Sequence, residues 1–232
     1  MKFPFLKEIL SRLGVFVSPR IVHYLNGFLN YLSVGRWFHD HKIAIPIRCA
    51  GRAELYQFVA TQVREPATYL EFGVLEGATL RQWIQLLKSP ESRFTGFDSF
   101  EGLPENWGHF TNKEVFDVQG RMPQFDDPRV RLVKGWFSDT LPSFLREFYP
   151  NPTLVLHLDA DLYSSTIFVL RQMKPYLQPG TILIFDEFFD REHELKALNE
   201  FLNDEQLNLR CLAATRALSQ AAFELLPAGS AP

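Results

Sequence analysis

Four carboxylates in the second half of the sequence are the side chains best suited to chemistry. Asp159 and Asp161 follow one apolar run, and Asp186 and Glu187 follow the next. If both runs are parallel strands, their carboxyl ends lie at one edge of the sheet, where like charges repel. A bound divalent cation removes that repulsion, and oxygen ligands favour Mg²⁺ or a similar hard ion over Zn²⁺. The alternative, that Asp186 or Asp190 only caps a helix, accounts for one carboxylate and not four.

A glycine turn in the stretch 68–80 is the second feature with chemical meaning. The apolar run there ends in Glu71, turns at Gly73 and Gly77, and continues into a helical pattern. Gly73 permits a sharp turn, and Gly77 permits close approach to a ligand. Because a carboxylate at the strand tip repels phosphate, it suits the cationic amino-acid end of a ligand, or a hydroxyl. The stretch predicts a nucleoside cofactor site without a pyrophosphate, or, more simply, an ordinary strand-to-helix connection.

Two further strand ends carry residues that suit a nucleoside. Asp98 follows the glycine turn at about the distance at which an acidic residue binds ribose hydroxyls, and we expect Ser99 to bind the cofactor with it. The alternative for Asp98 is a turn cap before Ser99. Gly135 and Trp136 follow another strand and suit an adenine pocket, and the alternative for Trp136 is an ordinary core position. His157 lies inside its strand, where we expect a structural role.

Apolar runs and helical patterns alternate from residue 69 onward, which is typical of a mostly parallel sheet with helices on both faces. The predicted strands are Tyr69–Phe72, Phe94–Phe97, Val130–Val133, Leu154–Leu158, Thr181–Phe185 and a hairpin at one sheet edge, Asn208–Ala213 with Ala221–Leu225. The predicted helices are 52–64 and, approximately, 78–88, 139–148, 164–176 and 191–203. The segment between the second and third strands lacks periodicity, and we expect its part from about 107 to 127 to form a mobile cover over the site.

The chain divides into an N-terminal helical extension at 1–50, an α/β domain at 51–226 and a disordered tail at 227–232. The extension is rich in large apolar residues at helical spacing, including Phe5, Ile9 and Leu13. We expect it to pack on the domain or on the second subunit of a homodimer. The alternative is a helix that lies in a membrane interface, which its thin polar face disfavours.

Composition argues against several other classes of function. A net charge of -3 gives no basic footprint for nucleic acid. No apolar run reaches the roughly 18 residues that a transmembrane segment needs, and the charged N-terminus does not resemble a signal peptide. The two cysteines, Cys49 and Cys211, show neither metal-ligand spacing nor a disulfide pattern. We therefore expect a cytoplasmic protein.

Five segments together resemble the macrocin O-methyltransferase (TylF-type) family of S-adenosylmethionine-dependent enzymes. The segments are Tyr69–Thr79, Gly96–Pro104, Lys134–Pro142, His157–Thr166 and Ile182–Glu187. They occur in the order that the family shows and cover roughly residues 52 to 225. The resemblance implies a class I methyltransferase fold, which is a Rossmann-like, doubly wound and mostly parallel sheet of seven strands, with S-adenosylmethionine as the cofactor.

The resemblance also implies roles for individual residues. Those implied to hold magnesium are Asp159, Asp186 and Glu187. Those implied to contact the methionine end of the cofactor are Glu71, Gly73, Gly77 and Thr79. Asp98 is implied to bind the ribose, and Asp161 is implied to be the general base. Family members methylate hydroxyl groups, notably sugar hydroxyls of antibiotics, so we expect a sugar-like small-molecule acceptor, with a catechol-like diol as the second choice.

Two other functions stay open at this point. A nicotinamide-dependent oxidoreductase on a related sheet needs the spacing Gly-x-Gly-x-x-Gly, which this glycine turn lacks, and it gives no reason for the paired carboxylates. A cofactor-binding protein without catalysis would use the Phe-rich N-terminus to contact a partner. The complete set of four carboxylates argues against that second alternative.

Overall fold

A sheet of eight strands runs through the part of the chain that the computed structural model describes, residues 3–107 and 111–230. The strands are β1 (Arg48–Cys49), β2 (Ala67–Phe72), β3 (Arg93–Asp98), β4 (Val130–Lys134), β5 (Thr153–Leu158), β6 (Ile182–Phe185), β7 (Leu209–Thr215) and β8 (Ala221–Leu225). The α-helices are α1 (Pro4–Leu13), α2 (Pro19–Asp40), α3 (Arg52–Ala60), α4 (Ala78–Leu86), α5 (Phe137–Leu145), α6 (Tyr163–Met173) and α7 (Glu194–Glu205). Short 3₁₀ helices lie at Gly14–Phe16, Lys113–Phe116 and Lys174–Tyr176.

The strand order is β1-β7-β8-β6-β5-β2-β3-β4, and β8 alone among these strands runs antiparallel to its neighbours. Because β3 pairs on one side of β2 and β5 on the other, the direction of winding changes at β2. In doubly wound sheets, ligands bind beyond the carboxyl ends of the strands at such a point. The topology therefore fixes which edge of the sheet can carry a site.

Each face of the sheet is covered by its own apolar core. Every residue of β2 is buried, as expected for a central parallel strand with helices on both sides. On one face Phe72 and Phe97 stack with ring centroids 4.9 Å apart, among residues from α2, α5, α6 and α7. On the other face Tyr69 packs at 4.9 Å from Trp83, among residues from α3 and α4. Buried apolar side chains on both faces of the strands thus hold the sheet between two helical layers.

The predicted strands and helices are confirmed, with differences at their ends and one addition. The sheet has eight strands rather than seven because β1 pairs with β7, so the predicted hairpin of β7 and β8 does not form the sheet edge. A two-residue strand has no periodicity to detect, and its pairing depends on tertiary structure. The predicted boundary at residue 50 therefore follows a strand of the main sheet. Helix α6 gives way to a 3₁₀ turn at Lys174, where Pro175 interrupts the helical hydrogen bonds.

Both N-terminal helices begin with a proline, which is favoured at the first helical position. At the start of α2 the Ser18 hydroxyl accepts the Ile21 N–H at 3.4 Å. The end of α2 packs on the domain through Val34, Trp37 and Phe38. Within the described residues, no helix combines the length and apolar character that crossing a membrane requires. The predicted cover at 107–127 and tail at 227–232 fall partly outside the described residues.

Replacing Phe97 by alanine should lower the free energy of unfolding by about 3–5 kcal/mol, because it removes a fully buried ring from the stack with Phe72. Urea denaturation monitored by circular dichroism measures the change. Val115→Ala is the matched control, since Val115 is exposed and its truncation should change stability by no more than about 0.5 kcal/mol. Equal losses for the two variants would contradict the described core.

Candidate active site

A cavity of about 790 Å³ lies at the carboxyl ends of the central strands. Its volume is in the range of small-molecule sites. Nine of the twelve site residues predicted from the sequence line it: Gly73, Asp98, Ser99, Gly135, Trp136, Asp159, Asp161, Asp186 and Glu187. Glu71, Gly77 and Thr79 do not. The structure therefore brings together the carboxylates and the predicted nucleoside-binding residues around one space.

Gly73 is required by the close approach of two strand ends. Its φ is +99°, and a Cβ there would lie 1.9 Å from the backbone oxygen of Asp159. Its N–H donates to the carbonyl oxygen of Phe97 at 2.9 Å. The glycine thus lets the end of β2 pass against the segment that follows β5, which places the turn and Asp159 on the same wall of the cavity.

Asp98 braces the glycine turn through both of its carboxylate oxygens. Oδ2 accepts the N–H groups of Val74 at 2.7 Å and Leu75 at 2.8 Å. Oδ1 accepts the N–H of Phe100 at 2.6 Å, as in the turn cap that the sequence left open for this residue. Asp98 also lines the cavity, so the same side chain shapes the turn and faces the space beyond it.

Gly77 approaches the chain's own loop and not the cavity. Its φ is +76°, and a Cβ there would lie 2.7 Å from Cζ of Phe125 and 2.9 Å from Nη1 of Arg81. The Arg81 guanidinium lies over the Phe125 ring at 4.5 Å and donates to the carbonyl oxygen of Gln124 at 2.9 Å. Gly77 therefore leaves room for a contact between α4 and the segment before β4, in place of the ligand contact expected from the sequence.

The segment expected to cover the site contributes to the wall of the cavity. Trp107 and Phe116 line the cavity. Just before this segment, the Ser164 hydroxyl at the start of α6 donates to Oε1 of Glu105 at 2.5 Å. The Leu103 N–H donates to the carbonyl oxygen of Lys113 at 2.7 Å, which closes the base of the loop. Residues 108–110 lie outside the described residues.

Asp161 is the carboxylate whose backbone is most unusual. Its φ is +56°, in the left-handed region that residues other than glycine seldom occupy and that is found most often at functional sites. Its side chain is buried yet lines the cavity. Burial, with the nearby charges of Asp186 and Asp98, raises the pKa of Asp161 to about 7. A carboxylate with such a pKa can accept a proton near neutral pH.

Three other carboxylates next to Asp161 also hold protons more tightly than usual. Burial and the charges of Asp186 and Asp161 raise the pKa of Glu187 to about 8. The same two neighbours, together with burial, raise the pKa of Asp159 well above its ordinary value. The pKa of Glu194 is raised in the same way by burial, although its Oε2 accepts the Glu187 N–H at 2.9 Å. Among the described residues, Oε1 of Glu194 is a buried oxygen that has no hydrogen-bond partner.

Asp186 is the exception, and a buried network explains why. Oδ1 accepts the Tyr56 hydroxyl at 2.7 Å and lies 3.6 Å from Nε2 of His157. Burial raises the pKa of Asp186, but His157, Tyr56 and Gln220 outweigh it, so that the pKa stays below its ordinary value. The network continues from Nδ1 of His157 to the Tyr69 hydroxyl at 2.7 Å.

Glu71 lies at the far end of this buried network. The Tyr69 hydroxyl donates to its Oε2 at 2.8 Å, and its Oε1 has no partner. Burial raises the pKa of Glu71 to about 8. Because side chains alternate along β2, Glu71 shares the face of Tyr69, beneath the helices. The sequence placed Glu71 correctly at the strand tip but could not show that its carboxyl group lies behind the cavity wall.

Sequence reasoning missed Arg52, Tyr56 and Glu194. Arg52 lines the cavity with Nη1 3.8 Å from Oδ2 of Asp186. All three lie in helices whose patterns look ordinary, because Tyr56 is at a core position of α3 and Glu194 occupies a common place for an acid at a helix start. For Arg52 and Tyr56, one signal was available in the sequence: helix α3 leads into the strand that ends in the glycine turn.

No group of three or more His, Cys, Asp and Glu side chains within 3–107 and 111–230 is arranged to hold a metal ion. The carboxylates predicted as magnesium ligands line the same cavity, but they do not form a ready-made coordination site. The donor set still fits a hard cation in kind, because each of these side chains offers oxygen atoms and they repel one another.

Comparison with known proteins places this arrangement in a family. The family model described as macrocin-O-methyltransferase (TylF) matches residues 52–213. The chain belongs to the TylF family. This confirms the family resemblance, whose segments lie at the strand ends described above.

Two curated relatives of the chain are named as O-methyltransferases. The chain is 31% identical over 144 residues to 8-demethyl-8-(2,3-dimethoxy-alpha-L-rhamnosyl)-tetracenomycin-C 4'-O-methyltransferase from Streptomyces olivaceus, covering 53% of each protein. It is 39% identical over 145 residues to mycinamicin III 3''-O-methyltransferase from Micromonospora griseorubida, covering 53% of this chain and 56% of the relative. This TylF-family chain thus spans about half the length of each of these curated relatives.

Two solved structures share the fold. The calicheamicin methyltransferase CalS11 has a TM-score of 0.57 at 24% identity, covering 96% of this chain and 87% of its own. The O-methyltransferase NovP has a TM-score of 0.58 at 21% identity, and the match covers 76% of this chain and 80% of NovP. The Rossmann-like, mostly parallel methyltransferase fold expected for this TylF-family protein is thereby confirmed.

Gly73→Ala should destabilise the protein much more than Gly180→Ala. Both residues have positive φ, but a Cβ at Gly180 meets no atom within 4 Å, whereas at Gly73 it meets a backbone oxygen. The control should therefore lose about 1–2 kcal/mol for its conformation alone, and Gly73→Ala should lose clearly more. Urea denaturation of both variants measures the difference. Similar losses would show that β2 and the segment after β5 do not approach as described.

Metal-free protein should become less stable as pH rises from about 5 to 8. The pKa values of Glu71, Asp161 and Glu187 lie at about 8, 7 and 8 in the folded protein, above the values of roughly 4 that unfolded chains have. In this window the folded protein holds protons that the unfolded chain has lost, so the stabilisation present at low pH disappears as pH rises. Asp186 has its lowered pKa below this window and contributes no slope there.

Urea denaturation in a chelating buffer at several pH values measures this slope, and Glu187→Gln is the matched variant. Its slope should be shallower than that of the wild type, because one of the titrating groups is gone while the side-chain shape is kept. Identical slopes for the two proteins would contradict the raised pKa of Glu187.

Proposed function

We propose that this TylF-family protein transfers a methyl group from S-adenosylmethionine to a hydroxyl group of a sugar or glycosylated small molecule. Family membership supports the reaction class. Two relatives are named as a 4'-O-methyltransferase and a 3''-O-methyltransferase, which supports an oxygen acceptor, and the name of the first includes a rhamnosyl group. The observation that carries the proposal is Asp161, a carboxylate with a pKa of about 7 that faces a cavity beside the glycine turn.

The cofactor is proposed to lie along the wall made by the ends of β2, β3 and β4. Gly73 has no side chain to block a ligand there. Gly135 and Trp136 line the same cavity and are proposed to contact the adenine ring. Asp98 keeps acceptor capacity on Oδ1 for a ribose hydroxyl, because that oxygen accepts one backbone N–H. We propose that Glu71 supports this wall from behind. We propose that Gly77 and Thr79 shape the glycine turn and the start of α4.

The proposed chemistry needs an oxygen nucleophile. S-adenosylmethionine supplies a methyl carbon that is electrophilic because it is attached to a positively charged sulfur. Asp161 accepts the proton of the acceptor hydroxyl as the new carbon–oxygen bond forms and the carbon–sulfur bond breaks. Trp107 and Phe116 line the cavity with aromatic surface, which excludes water and holds the acceptor in line with the methyl group.

A divalent cation, Mg²⁺ or a similar hard ion, is proposed as a second component. Asp159, Asp186 and Glu187 would hold it. Burial and the charges of neighbouring carboxylates raise the pKa values of Asp159 and Glu187, and the repulsion among these groups supports the proposal. Such an ion lowers the pKa of a coordinated hydroxyl. Because no three of these side chains surround a common point in the described residues, the proposal requires them to adjust when the ion binds.

Asp161→Asn should reduce turnover by about 10²- to 10⁴-fold, because it removes the proton acceptor and little of the side-chain volume. A screen of glycosylated metabolites with mass detection of the methylated product identifies the acceptor, and the variant is then assayed with it. Calorimetry should show that S-adenosylhomocysteine binds wild type and variant within a few-fold of each other. Asp204→Asn, the same change on the exposed side of α7, is the control. Full turnover by Asp161→Asn would remove it from the role of base.

Mg²⁺ should raise the thermal midpoint of wild-type protein that has been treated with a chelator, and should raise that of Asp159→Asn much less. The reason is that a cation bound only by the folded state stabilises it, and the substitution removes a proposed ligand charge. Differential scanning fluorimetry measures this without any acceptor. An unchanged midpoint, together with full activity in the chelator, would refute the cation while leaving Asp161 as base untouched.

The nicotinamide alternative finds no support, since the chain belongs to the TylF family and its cavity is lined by the acidic residues that a dehydrogenase has no use for. The alternative of a cofactor-binding protein without catalysis makes a different prediction from ours. It expects S-adenosylhomocysteine to bind and no member of the acceptor screen to be methylated.

A further inference from the structure

The N-terminal helices expose an unusually large apolar surface. Of the 21 large apolar side chains that are clearly exposed in the described residues, 16 lie between residues 3 and 32. Six of these are aromatic: Phe3, Phe5, Phe16, Tyr24, Phe28 and Tyr31. With roughly 150–250 Å² per aromatic side chain, their exposed fractions leave on the order of 800 Å² bare. That total matches the area that one partner contributes to a stable interface.

Helix α2 shows why most of this surface faces away from the chain's own domain. At 100° per residue, the apolar side chains of its first half, which include Ile21, Leu25 and Phe28, cluster on one side. Val34 and Trp37 in its second half lie on the opposite side, where they are buried against the domain. The two halves of one helix therefore present apolar faces in opposite directions, and the first half faces away from the sheet.

The charges on these helices favour a protein partner over a membrane. Helices that lie on membranes usually carry many Lys and Arg residues on the polar face. In α1 the polar face holds Lys7 and Arg12, and Arg12 is paired with Glu8 at 2.6 Å. The first half of α2 carries Arg20 as its single Lys or Arg residue. A surface with this little net charge and this many aromatic rings resembles the core of a protein interface.

We propose that α1 and the first half of α2 form the interface of a homodimer, in which the occupant of the apolar surface is the same surface of a second copy. A twofold interface needs a patch that complements itself, and an apolar helix pair with few charged side chains meets that condition. Tyr31 stacks on Phe189 with centroids 5.8 Å apart, two residues beyond Glu187. The interface therefore continues into the segment that bears one carboxylate of the cavity.

The test compares the mass of the wild-type protein in solution with that of the double variant Leu25→Glu/Phe28→Glu. Both side chains are more than half exposed, so the substitutions should leave the circular dichroism spectrum unchanged. Sedimentation should give at least two chains per particle for the wild type and one for the variant. Tyr149→Glu puts the same charge at an exposed aromatic outside this surface and should keep the wild-type mass.

Three results would overturn the proposal. The first is wild-type protein that sediments as a single chain at micromolar concentration. The second is a double variant that keeps the wild-type mass. The third is a wild-type chain that is monomeric in solution but floats with phosphatidylcholine–phosphatidylserine vesicles, which would assign the surface to a lipid bilayer.

Discussion

Repulsion among carboxylates that the fold brings to one edge of the sheet is the constraint on which the site depends. Parallel strands end on the same side, so acidic residues at the ends of β5 and β6 must lie near one another. The protein neutralises only part of this repulsion. Tyr56 and Gln220 donate hydrogen bonds to Asp186, His157 lies 3.6 Å from it, and backbone N–H groups donate to Asp98. The others keep raised pKa values, which is typical of functional sites.

Some acids of this cluster therefore have a structural role, and another keeps the proton affinity that the proposed reaction needs. Asp98 holds the glycine turn in shape while it faces the cavity, and the Tyr56 hydroxyl keeps Asp186 ionised and fixed. Asp161 has no such partner in the described residues, so burial and the charges of Asp186 and Asp98 leave it with the raised proton affinity that the proposed reaction uses. Gly73 makes the arrangement compact, because any side chain there would push Asp159 away from the turn.

How much the sequence could predict depends on the range of the interaction involved. Strand β8 was predicted with its observed bounds, Ala221–Leu225, because an apolar run between turn residues is a local signal. Strand β1 was missed because its pairing with β7 is set by distant residues. The cavity-facing acids at the strand ends were found because strand ends can be recognised from the apolar pattern. The burial of Glu71 and the role of Tyr56 could not be found, because both follow from how helices α3 and α4 cover the sheet.

Calorimetric titration of the purified protein with S-adenosylhomocysteine and, separately, with NAD tests most directly what this acidic edge is built to bind. The account predicts saturable binding of S-adenosylhomocysteine and no heat of binding with NAD. Binding of NAD, or the absence of any heat with S-adenosylhomocysteine, would contradict it.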